Sequence, residues 1–482
     1  MRPRLAVVGG GITGLAAAYF LRPCTWDGPS PEVVLLEGSD RLGGKVRTEP
    51  FDGIALDAGP DGFLAQKPWA ASLCAELGLD DELVPSAPLP ALLWLGGRLR
   101  PLPAGLALGV PARLGAVARA GILSPAGLAR AAADLVIPAR DDAGDESLGA
   151  LVRRRLGAEV LDRLVDPLVG GVYAGRADGL SARSVAPALV EAERRSRSLL
   201  LGLRGAVATG TAPRPAFRTL RGGLGTLVAA LAAALDGVAV RTRAPVLDIA
   251  AAPEGRYRLT VPGATEEFDA LVVALPAFAA AAALRSLSAP AASVLQEITY
   301  ASVAVVALRY PPGALPALPP ASGFLVPPRE GRLVTACTWS SRKWRHLAPS
   351  DGSLIVRCSV GRADDARALE LDDREVVTRV DAELRQALGL RAGPTASRVT
   401  RWPQAIPQYA VGHAERLARI ARHLAPFEGL VLAGAAYRGL GLPDCVRQGR
   451  EAADAVRAWL ERPGIARAGR ITSASLARPA LT

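Results

Sequence analysis

The sequence begins with a glycine-rich turn between a short apolar run and a helix-forming one. Residues 5 to 8 are continuously apolar, as in a buried parallel strand, and residues 15 to 21 are mainly apolar after the turn. Between them Gly9, Gly11 and Gly14 have the G-x-G-x-x-G spacing of a dinucleotide-binding loop. The first glycine permits the turn, the second lets the backbone approach a pyrophosphate, and the third lets the helix pack closely on its strand. The chain is therefore predicted to start with a Rossmann-like α/β domain.

An acidic residue supports the same interpretation. A second apolar run, residues 33 to 36, ends in Glu37, where such folds place an acid for the ribose hydroxyls. A glycine-rich turn that arose by chance would not be expected to have a flanking strand, a following helix and this acid as well. The combination therefore favours a nucleotide site. The predicted contacts in this part of the chain are Gly9, Gly10, Gly11, Ile12, Thr13, Gly14, Glu37 and Gly38.

Two further glycine turns follow. Gly43 and Gly44 precede Lys45, which adds backbone and a positive side chain near the phosphates. This second loop favours FAD over NAD, because nicotinamide dehydrogenases do not need it. A strand-like run then enters a third turn, predicted to lie along the isoalloxazine ring, although a hairpin without a ligand has the same pattern. The third turn consists of Gly59, Pro60, Asp61 and Gly62.

The composition is that of a globular protein with a basic balance. Half of the 482 residues are hydrophobic, and the formal net charge of +11 comes almost entirely from arginine. A GC-rich genome explains this bias as well as an attraction for acidic substrates or an anionic membrane does. The arginines are scattered, which argues against a nucleic acid partner.

The cysteines, the histidines and the apolar segments indicate which kinds of site and which location to expect. The five cysteines lie far apart and the three histidines have no metal-ligand spacing, so neither a disulfide framework nor a metal site is predicted. The glycine loop begins too close to Met1 for a signal peptide, and the most apolar stretch, residues 271 to 284, is short and contains Pro276. We expect a cytoplasmic protein, with peripheral contact to the inner face of the membrane as a further option.

Five motifs resemble the flavin amine oxidase superfamily and, within it, the protoporphyrinogen and coproporphyrinogen oxidases of haem biosynthesis. In chain order they are GGGITGL, RLGGKVRT, LDAGPDGF, TLRGGLGTLV and AGAAYRGLGLPDCVRQG. The resemblance implies a p-hydroxybenzoate hydroxylase-like fold that binds FAD without a covalent bond. Its α/β FAD-binding domain would comprise 1–85, 212–274 and 405–462, its helical insertion along a substrate tunnel 86–211, and its antiparallel-sheet substrate domain 275–404. The composition of 463–482 predicts a disordered tail.

The resemblance also implies site residues in the later segments. It places the backbone of Val246 against the adenine and Trp402 near the isoalloxazine, although a packed loop aromatic explains this tryptophan almost equally well. Gly434 lies in a small-residue turn before the last helix, whose N-terminus would stabilise the reduced flavin. Asp444 is predicted as the N-cap of that helix. The remaining contacts expected there are Leu442, Pro443 and Asp444.

The expected chemistry is flavin-centred. Since there is one dinucleotide fingerprint and no second, a bound nicotinamide reductant is not expected, and electrons would go to oxygen or to a quinone-like acceptor. No Ser-His-Asp or paired-carboxylate pattern is present, and no side-chain base is assigned. The resemblance implies three successive two-electron oxidations of a porphyrinogen with formation of hydrogen peroxide. Such a reaction needs positioning and an enclosed apolar pocket more than a strong base.

Substrate choice depends on departures from the family pattern. Ala91 stands where mitochondrial and plastid enzymes have an arginine, and residues 102 to 111 resemble the Gram-positive bacterial type, which oxidises the tetracarboxylate coproporphyrinogen III. Candidate partners for its propionates are Arg98, Arg100 and Arg176, although a solvated surface position is the simpler interpretation of each.

The sequence leaves other substrates and functions open. Protoporphyrinogen IX is the nearest other substrate, and a flavin amine oxidase or carotenoid desaturase is more distant. The small residues around Gly434 and the single Tyr437 argue against the aromatic cage of an amine oxidase. A non-enzymatic prenyl-protein chaperone is disfavoured by the intact glycine loops. A ferrochelatase is a further candidate partner.

Overall fold

A parallel sheet of five strands joins distant parts of the chain, which the computed structural model describes over residues 2–26, 30–138, 144–207, 216–315 and 318–462. In spatial order the strands are Val238–Arg241, Glu32–Leu36, Arg4–Val8, Ala270–Val273 and Leu430–Leu432. All neighbouring pairs are parallel. Strands that are buried on both faces require continuous apolar runs. This is why Arg4–Val8 and Glu32–Leu36, the first two strands along the chain, could be predicted from the sequence.

Two apolar cores lie on opposite faces of this sheet. Along the first strand Leu5 and Val7 belong to one core, and Ala6 and Val8 to the other. The helices of the first core are Ile12–Leu21, Pro68–Glu76, Gly225–Ala233 and Leu442–Leu460. The second core contains residues of the antiparallel strands Asp248–Ala251, Tyr257–Val261 and Ala264–Phe268 and of the helices Ala277–Ala283, Ala289–Gln296 and His413–Leu424.

A sheet of seven strands forms the second large unit. In spatial order its strands are Ala396–Pro407, Tyr300–Tyr310, Leu354–Val360, Val334–Thr338, Gly323–Leu325, Ala91–Leu95 and Arg98–Pro101. One face packs on the helix Asp373–Leu388, where Val376, Val380 and Leu384 recur at helical spacing. This leaves the other face of the sheet for the functional site.

Short helices form the third unit. They are Leu114–Arg119, Pro125–Ala132, Leu148–Leu156, Ala158–Val160, Asp166–Tyr173, Ala182–Val185, Pro187–Ser196 and Leu199–Val207, with a π-helical turn at Leu161–Val165. The side chains of Arg155 and Asp134 are fully buried here, and Nε of Arg155 donates to Oδ1 of Asp134 over 2.6 Å. The same guanidinium donates to the carbonyls of Ile137, Pro138 and Arg197. One arginine thus satisfies several loop carbonyls inside an otherwise apolar core.

Smaller elements complete the described chain. The strands are Thr48–Phe51 with Ile54–Asp57, Phe63–Leu64 with Phe217–Leu220 and Leu83–Pro85, and Leu106–Ala107 with Val110–Pro111. The single helical turns are Pro23–Thr25, Asp80–Glu82, Ala133–Leu135, Pro253–Gly255, Pro328–Glu330, Ser340–Lys343, Arg345–Leu347 and Arg367–Glu370. Among the described residues no helix is both long and apolar enough to cross a bilayer.

The element positions differ from the predicted boundaries in two places. Ala91–Leu95 and Arg98–Pro101 are strands of the seven-stranded sheet and not part of the helical insertion, because Leu92 and Trp94 face the core of that sheet while Leu93 faces the helical unit. The helices Ala277–Ala283 and Ala289–Gln296 pack with the parallel sheet and not with the seven-stranded one. The predicted tail, 463–482, lies outside the described residues.

Candidate functional site

The first glycine turn leaves one side open for a ligand. The turn is closed by a hydrogen bond from the Gly9 N–H to the carbonyl of Leu36 over 2.8 Å. A Cβ on Gly14 would lie 1.8 Å from the Gly9 carbonyl oxygen, whereas a Cβ on Gly11 would meet no protein atom within 4 Å. The first amides of the helix Ile12–Leu21 have no acceptor within the helix. The open side at Gly11 and these amides together suit a phosphate group.

The acid after the second strand is held against this turn. Oε2 of Glu37 accepts from the Gly10 N–H over 2.6 Å, and its Oε1 accepts from the N–H of Ser39 over 2.8 Å. The Ala244 N–H donates to the Glu37 carbonyl over 2.8 Å, and Pro245 lies beside Gly38. Val246 therefore lies in the segment next to Glu37, where the sequence places the adenosine end of the ligand.

The second glycine turn contacts the first one directly. Gly43 donates its N–H to the Gly10 carbonyl over 2.8 Å, and Gly44, at φ +56°, would bring a Cβ within 3.2 Å of the Gly11 Cα. Lys45 follows, and its side chain makes no hydrogen bond or ion pair with any described residue. Burial lowers the pKa of Lys45. A partly buried cation beside an open phosphate-type turn fits an anionic ligand.

The start of the last helix lies beside the same turns. Gly434 has φ +133°, and a Cβ there would lie 4.0 Å from Oγ1 of Thr13. The neighbouring Cys445 thiol is buried, which raises its pKa to about 11, while its contact with Thr13 lowers it. The helix begins at Leu442 with Gly441 as its N-cap, so the prediction that Asp444 is the N-cap is wrong. Asp444 lies in the first turn, with Pro443 before it, and pairs with Lys67 over 2.6 Å.

The third turn is held by the seven-stranded sheet. Asp61 accepts from Nζ of Lys343 and from Nε1 of Trp344, each over 3.1 Å, and lies 3.4 Å from Nη1 of Arg357. Burial raises the pKa of Asp61, but the two cations outweigh it and hold the pKa well below its usual range. Arg357 also donates to the carbonyl of Gly59. These contacts fix the backbone of the turn as a rigid strip.

Two further contacts complete this turn. Nε1 of Trp402 donates to the Ala58 carbonyl over 2.9 Å, so this tryptophan packs on the third turn. Its predicted position near the isoalloxazine ring stays a prediction. A Cβ on Gly59 would lie 2.1 Å from the Lys45 carbonyl oxygen, and one on Gly62 would lie 2.8 Å from the Trp344 ring. The glycines that flank Pro60 and Asp61 thus allow the second and third turns and the sheet to meet.

A buried carboxyl lies just behind the third turn. Asp57 accepts from the Thr48 hydroxyl over 2.5 Å and from the Leu224 N–H over 3.0 Å. Burial raises its pKa to about 6, against the effect of these hydrogen bonds and of Arg357. Among the described residues, no three His, Cys, Asp or Glu side chains come together as a metal site requires.

The face of the seven-stranded sheet opposite the helix Asp373–Leu388 is accessible to solvent at Ser359. Ser359 is exposed although it lies on an inner strand, and its cross-strand neighbours Val305 and Ala336 are only half-buried. Arg357, two residues earlier on the same face, reaches the third glycine turn. This face of the sheet therefore adjoins the third turn.

The three candidate arginines differ in their surroundings. Arg98 is exposed on the edge strand, and Arg100 donates to the Gly121 carbonyl over 2.7 Å. Three strands separate this edge from the strand that carries Ser359. Arg176 lies 3.1 Å from Asp166 and 3.7 Å from Asp364. The structure thus does not bring Arg98 and Arg100 to Ser359, and the role of all three stays a prediction.

Sequence analysis missed the residues that support the third turn. Lys343, Trp344 and Arg357 reach Asp61 and Gly59 from almost 300 positions away along the chain. None of them lies in a spaced motif. A buried carboxylate is normally paired with a cation. The sequence around Asp61 therefore indicated at most that some cation would lie close, without showing which one.

Comparisons with known proteins show the family of this chain. The family model of flavin containing amine oxidoreductases matches residues 12–457. The chain is 36% identical to coproporphyrinogen III oxidase of Bacillus subtilis, over 94% of this chain and 97% of that one. It is 34% identical to protoporphyrinogen oxidase of Bos taurus, over 93% and 97%. A solved structure from Exiguobacterium sp. 255-15, provisionally titled a protoporphyrinogen oxidase, superposes with a TM-score of 0.85 at 32% identity, covering 96% of this chain and all of that one.

Proposed function

We propose that this chain, which belongs to the flavin containing amine oxidoreductases, oxidises coproporphyrinogen III to coproporphyrin III with oxygen as electron acceptor. The observation that carries the substrate assignment is the 36% identity to the Bacillus subtilis enzyme over nearly the whole of both chains. The predicted fold class and FAD-dependent oxidoreductase activity are confirmed by the family match. Haem biosynthesis is the process that this substrate implies.

The residues at the glycine turns fit FAD. The open side at Gly11 and the free amides of the first helix would hold the pyrophosphate, with Lys45 as a counter-charge, while Glu37 lies at the ribose end. The strip from Gly59 to Gly62, braced by Arg357 and Trp344, would lie along the ring. We propose that FAD binds non-covalently, because the Cys445 thiol is buried and its pKa is raised to about 11, so it is a poor nucleophile.

The protein's part in the chemistry is positioning. FAD, held by the glycine turns and Lys45, would supply the two-electron oxidation of a bridging carbon of the macrocycle, for which a pyrrole nitrogen gives up a proton. Three such oxidations remove six electrons, and three oxygen molecules are reduced to three of hydrogen peroxide. Placed between the sheet face at Ser359 and the third turn, the macrocycle would be held flat by contacts with both. No side-chain base is assigned.

Anaerobic mixing followed by admission of oxygen tests the proposal. The purified protein is mixed with coproporphyrinogen III or protoporphyrinogen IX, and flavin absorbance and porphyrin fluorescence are recorded together. Faster flavin bleaching by coproporphyrinogen III, with return of the flavin colour in oxygen, is the expected result. The Gly11→Ala variant, expected to be flavin-poor, measures uncatalysed oxidation.

The alternatives give different results in the same experiment. Faster bleaching by protoporphyrinogen IX would move the assignment to that substrate, which the similarity to the bovine protein also allows. Bleaching by neither porphyrinogen would overturn the proposal and direct the search to amines and carotenoid precursors. Non-covalent FAD is checked by acid precipitation, which should leave all of the flavin in the supernatant.

We also propose peripheral contact with the inner face of the membrane, through an exposed apolar patch on the helical unit. Leu135, Val136 and Leu201 are 49%, 82% and 44% exposed, and the carbonyls of Ile137 and Arg197 meet on one guanidinium, which brings their segments together. The exposed arginines nearby are Arg194, Arg195, Arg197 and Arg204. Apolar and cationic groups together suit an anionic bilayer.

Flotation with vesicles tests this contact. Wild type should float with vesicles that contain anionic lipid, and Val136→Asp should float less while keeping its oxidase activity. Equal flotation of both proteins would contradict the proposed surface.

We further propose that the product is transferred directly to a ferrochelatase. A rate of metal insertion that rises when the two proteins are mixed at a fixed concentration of free porphyrin would support this transfer.

A further inference from the structure

We propose that Arg362 binds a carboxylate of the substrate at the end of the sheet face that carries Ser359. The inference rests on the proposed function, because it assumes a substrate that carries propionate groups. Arg362 follows the strand Leu354–Val360, which carries the exposed Ser359, and was not among the arginines singled out from the sequence.

Arg362 is a buried cation with an unused donor. Arg362 is only 7% exposed to solvent. Nη2 donates to the carbonyl of Val326 over 2.8 Å, whereas Nη1 has no hydrogen-bond partner among the described residues. A buried guanidinium normally has all its donors paired, and one that lacks a partner marks a place where a ligand or water completes the set.

The charges around Arg362 leave it without a carboxylate of its own. Asp166 accepts from the Ala177 N–H over 2.8 Å and faces Arg176 at 3.1 Å. Asp365 is paired with Arg367 over 2.6 Å, and Asp364 lies 3.7 Å from Arg176. Burial and the nearby Arg176 lower the pKa of Arg362, with the three aspartates acting against them. An incoming carboxylate would supply the missing counter-charge.

A residue without a side chain lies beside this nitrogen. Nη1 of Arg362 lies 3.3 Å from the position of a Cβ on Gly170, in the helix Asp166–Tyr173. Gly171, next along that helix, is exposed, and a Cβ there would lie 3.3 Å from Cδ2 of Leu325. Any larger residue at 170 would crowd the unpaired nitrogen. Because Nη1 is itself buried, the guanidinium has to turn outward for a carboxylate to reach it.

The same helix connects this point to the other end of the site. The ring of Tyr173 lies 6.0 Å from that of Tyr409, whose hydroxyl donates to the Ala435 carbonyl over 2.6 Å, beside Gly434. The helix Asp166–Tyr173 thus lies beside Arg362 at Gly170 and beside Tyr409 at Tyr173. A macrocycle whose reacting carbon faces the flavin would carry its peripheral propionates toward Arg362.

Binding of the stable product and of its ester tests the charge contact directly. Wild type, Arg362→Gln and Arg362→Lys are titrated with coproporphyrin III and with its uncharged tetramethyl ester, and porphyrin fluorescence reports binding. Arg374→Gln, which removes an exposed arginine of the helix Asp373–Leu388, is the matched control. Flavin content and melting temperature report whether each variant is folded.

We expect Arg362→Gln to weaken binding of coproporphyrin III about tenfold or more, because a charge-assisted contact is lost. Binding of the ester should be equal in wild type and variant, and Arg362→Lys should recover part of the affinity for the acid. In turnover the loss should fall on KM more than on kcat. Equal weakening for acid and ester, or no weakening, would overturn the role of Arg362. A wild type that binds neither porphyrin would instead count against the proposed function.

Discussion

A Cβ on Gly14 would lie 1.8 Å from the carbonyl oxygen of Gly9, whereas a Cβ on Gly11, three positions earlier, would meet no protein atom within 4 Å. The two glycines therefore serve different purposes. Gly14→Ala should destabilise the first turn itself, with a lower melting temperature and little bound flavin. Gly11 has φ −70°, which alanine adopts without strain, so Gly11→Ala should fold normally and bind FAD weakly. The melting temperature of the flavin-free proteins and their FAD affinity separate the two cases, and normal FAD affinity in Gly11→Ala would contradict the proposed phosphate position.

Lys45 should contribute to FAD affinity through charge. Its side chain has no partner in the described chain, and burial already lowers its pKa, so an anionic ligand gains from the contact. Lys45→Met should weaken FAD binding by about tenfold and reduce its dependence on salt. Arg221→Gln, at an exposed arginine 4.0 Å from Glu82, is the control and should leave both unchanged. A salt dependence that is the same in Lys45→Met and wild type would argue against the contact.

Asp57 should make stability fall as pH rises through the mildly acidic range. Its pKa is raised by burial from 3.8 to about 6, so the folded protein holds the proton that the unfolded chain has already released. The free energy of unfolding should then drop by about 2–3 kcal/mol between pH values near 4 and above 6 because of this group. Asp57→Asn keeps an oxygen acceptor for Thr48 and Leu224 and should flatten that part of the profile. Asp236→Asn, at an exposed carboxylate, should keep the wild-type slope, and identical slopes in all three proteins would show that Asp57 is not the group responsible.

Arg155 should be important for the stability of the helical unit. It pairs with Asp134 at full burial and donates to three loop carbonyls. Arg155→Met removes the donor to Oδ1 of Asp134 and to these carbonyls, and the buried carboxylate keeps only the Ser198 hydroxyl and the Leu200 N–H, so we expect a cost of about 3–5 kcal/mol in the free energy of unfolding. Denaturant unfolding measures this cost, with Arg153→Gln, which breaks an exposed pair with Asp178, expected to cost less than about 1 kcal/mol. Similar losses in both variants would mean that burial does not set the strength of the pair.

The parts of the site that were predictable depend on local spacing. Gly9, Gly11, Gly14 and Glu37 follow a pattern that a single βαβ unit imposes on neighbouring residues, and the structure brings them together. The support of Asp61 by Lys343 is different, since the two are 282 positions apart and only the assembled sheet places them in contact. Local pattern carries no information about such a pair.

The errors in the fold have a physical cause as well. Ala91–Leu95 lies between two cores, so Leu92, Leu93 and Trp94 are all buried and the strand lacks the alternation that marks one exposed face. Asp444 looks like an N-cap because acids are common there, but Pro443 fits the first turn and moves the helix start to Leu442. Arg362 was missed because one arginine among many has no distinguishing neighbours in sequence.

The order of the strands has a consequence for how the protein is made. The helix Leu442–Leu460 packs on the helix Ile12–Leu21, and Arg457 donates to the carbonyl of Phe20 over 2.7 Å, across 437 positions of the chain. While the ribosome is still translating the middle of the message, the first glycine turn has no covering helix and its parallel sheet lacks the edge strand Leu430–Leu432. Contacts of such high sequence separation form late and slowly. A chain that ends before Leu442 would lack the helix that covers the first turn, so we expect FAD to bind only after that helix has been made.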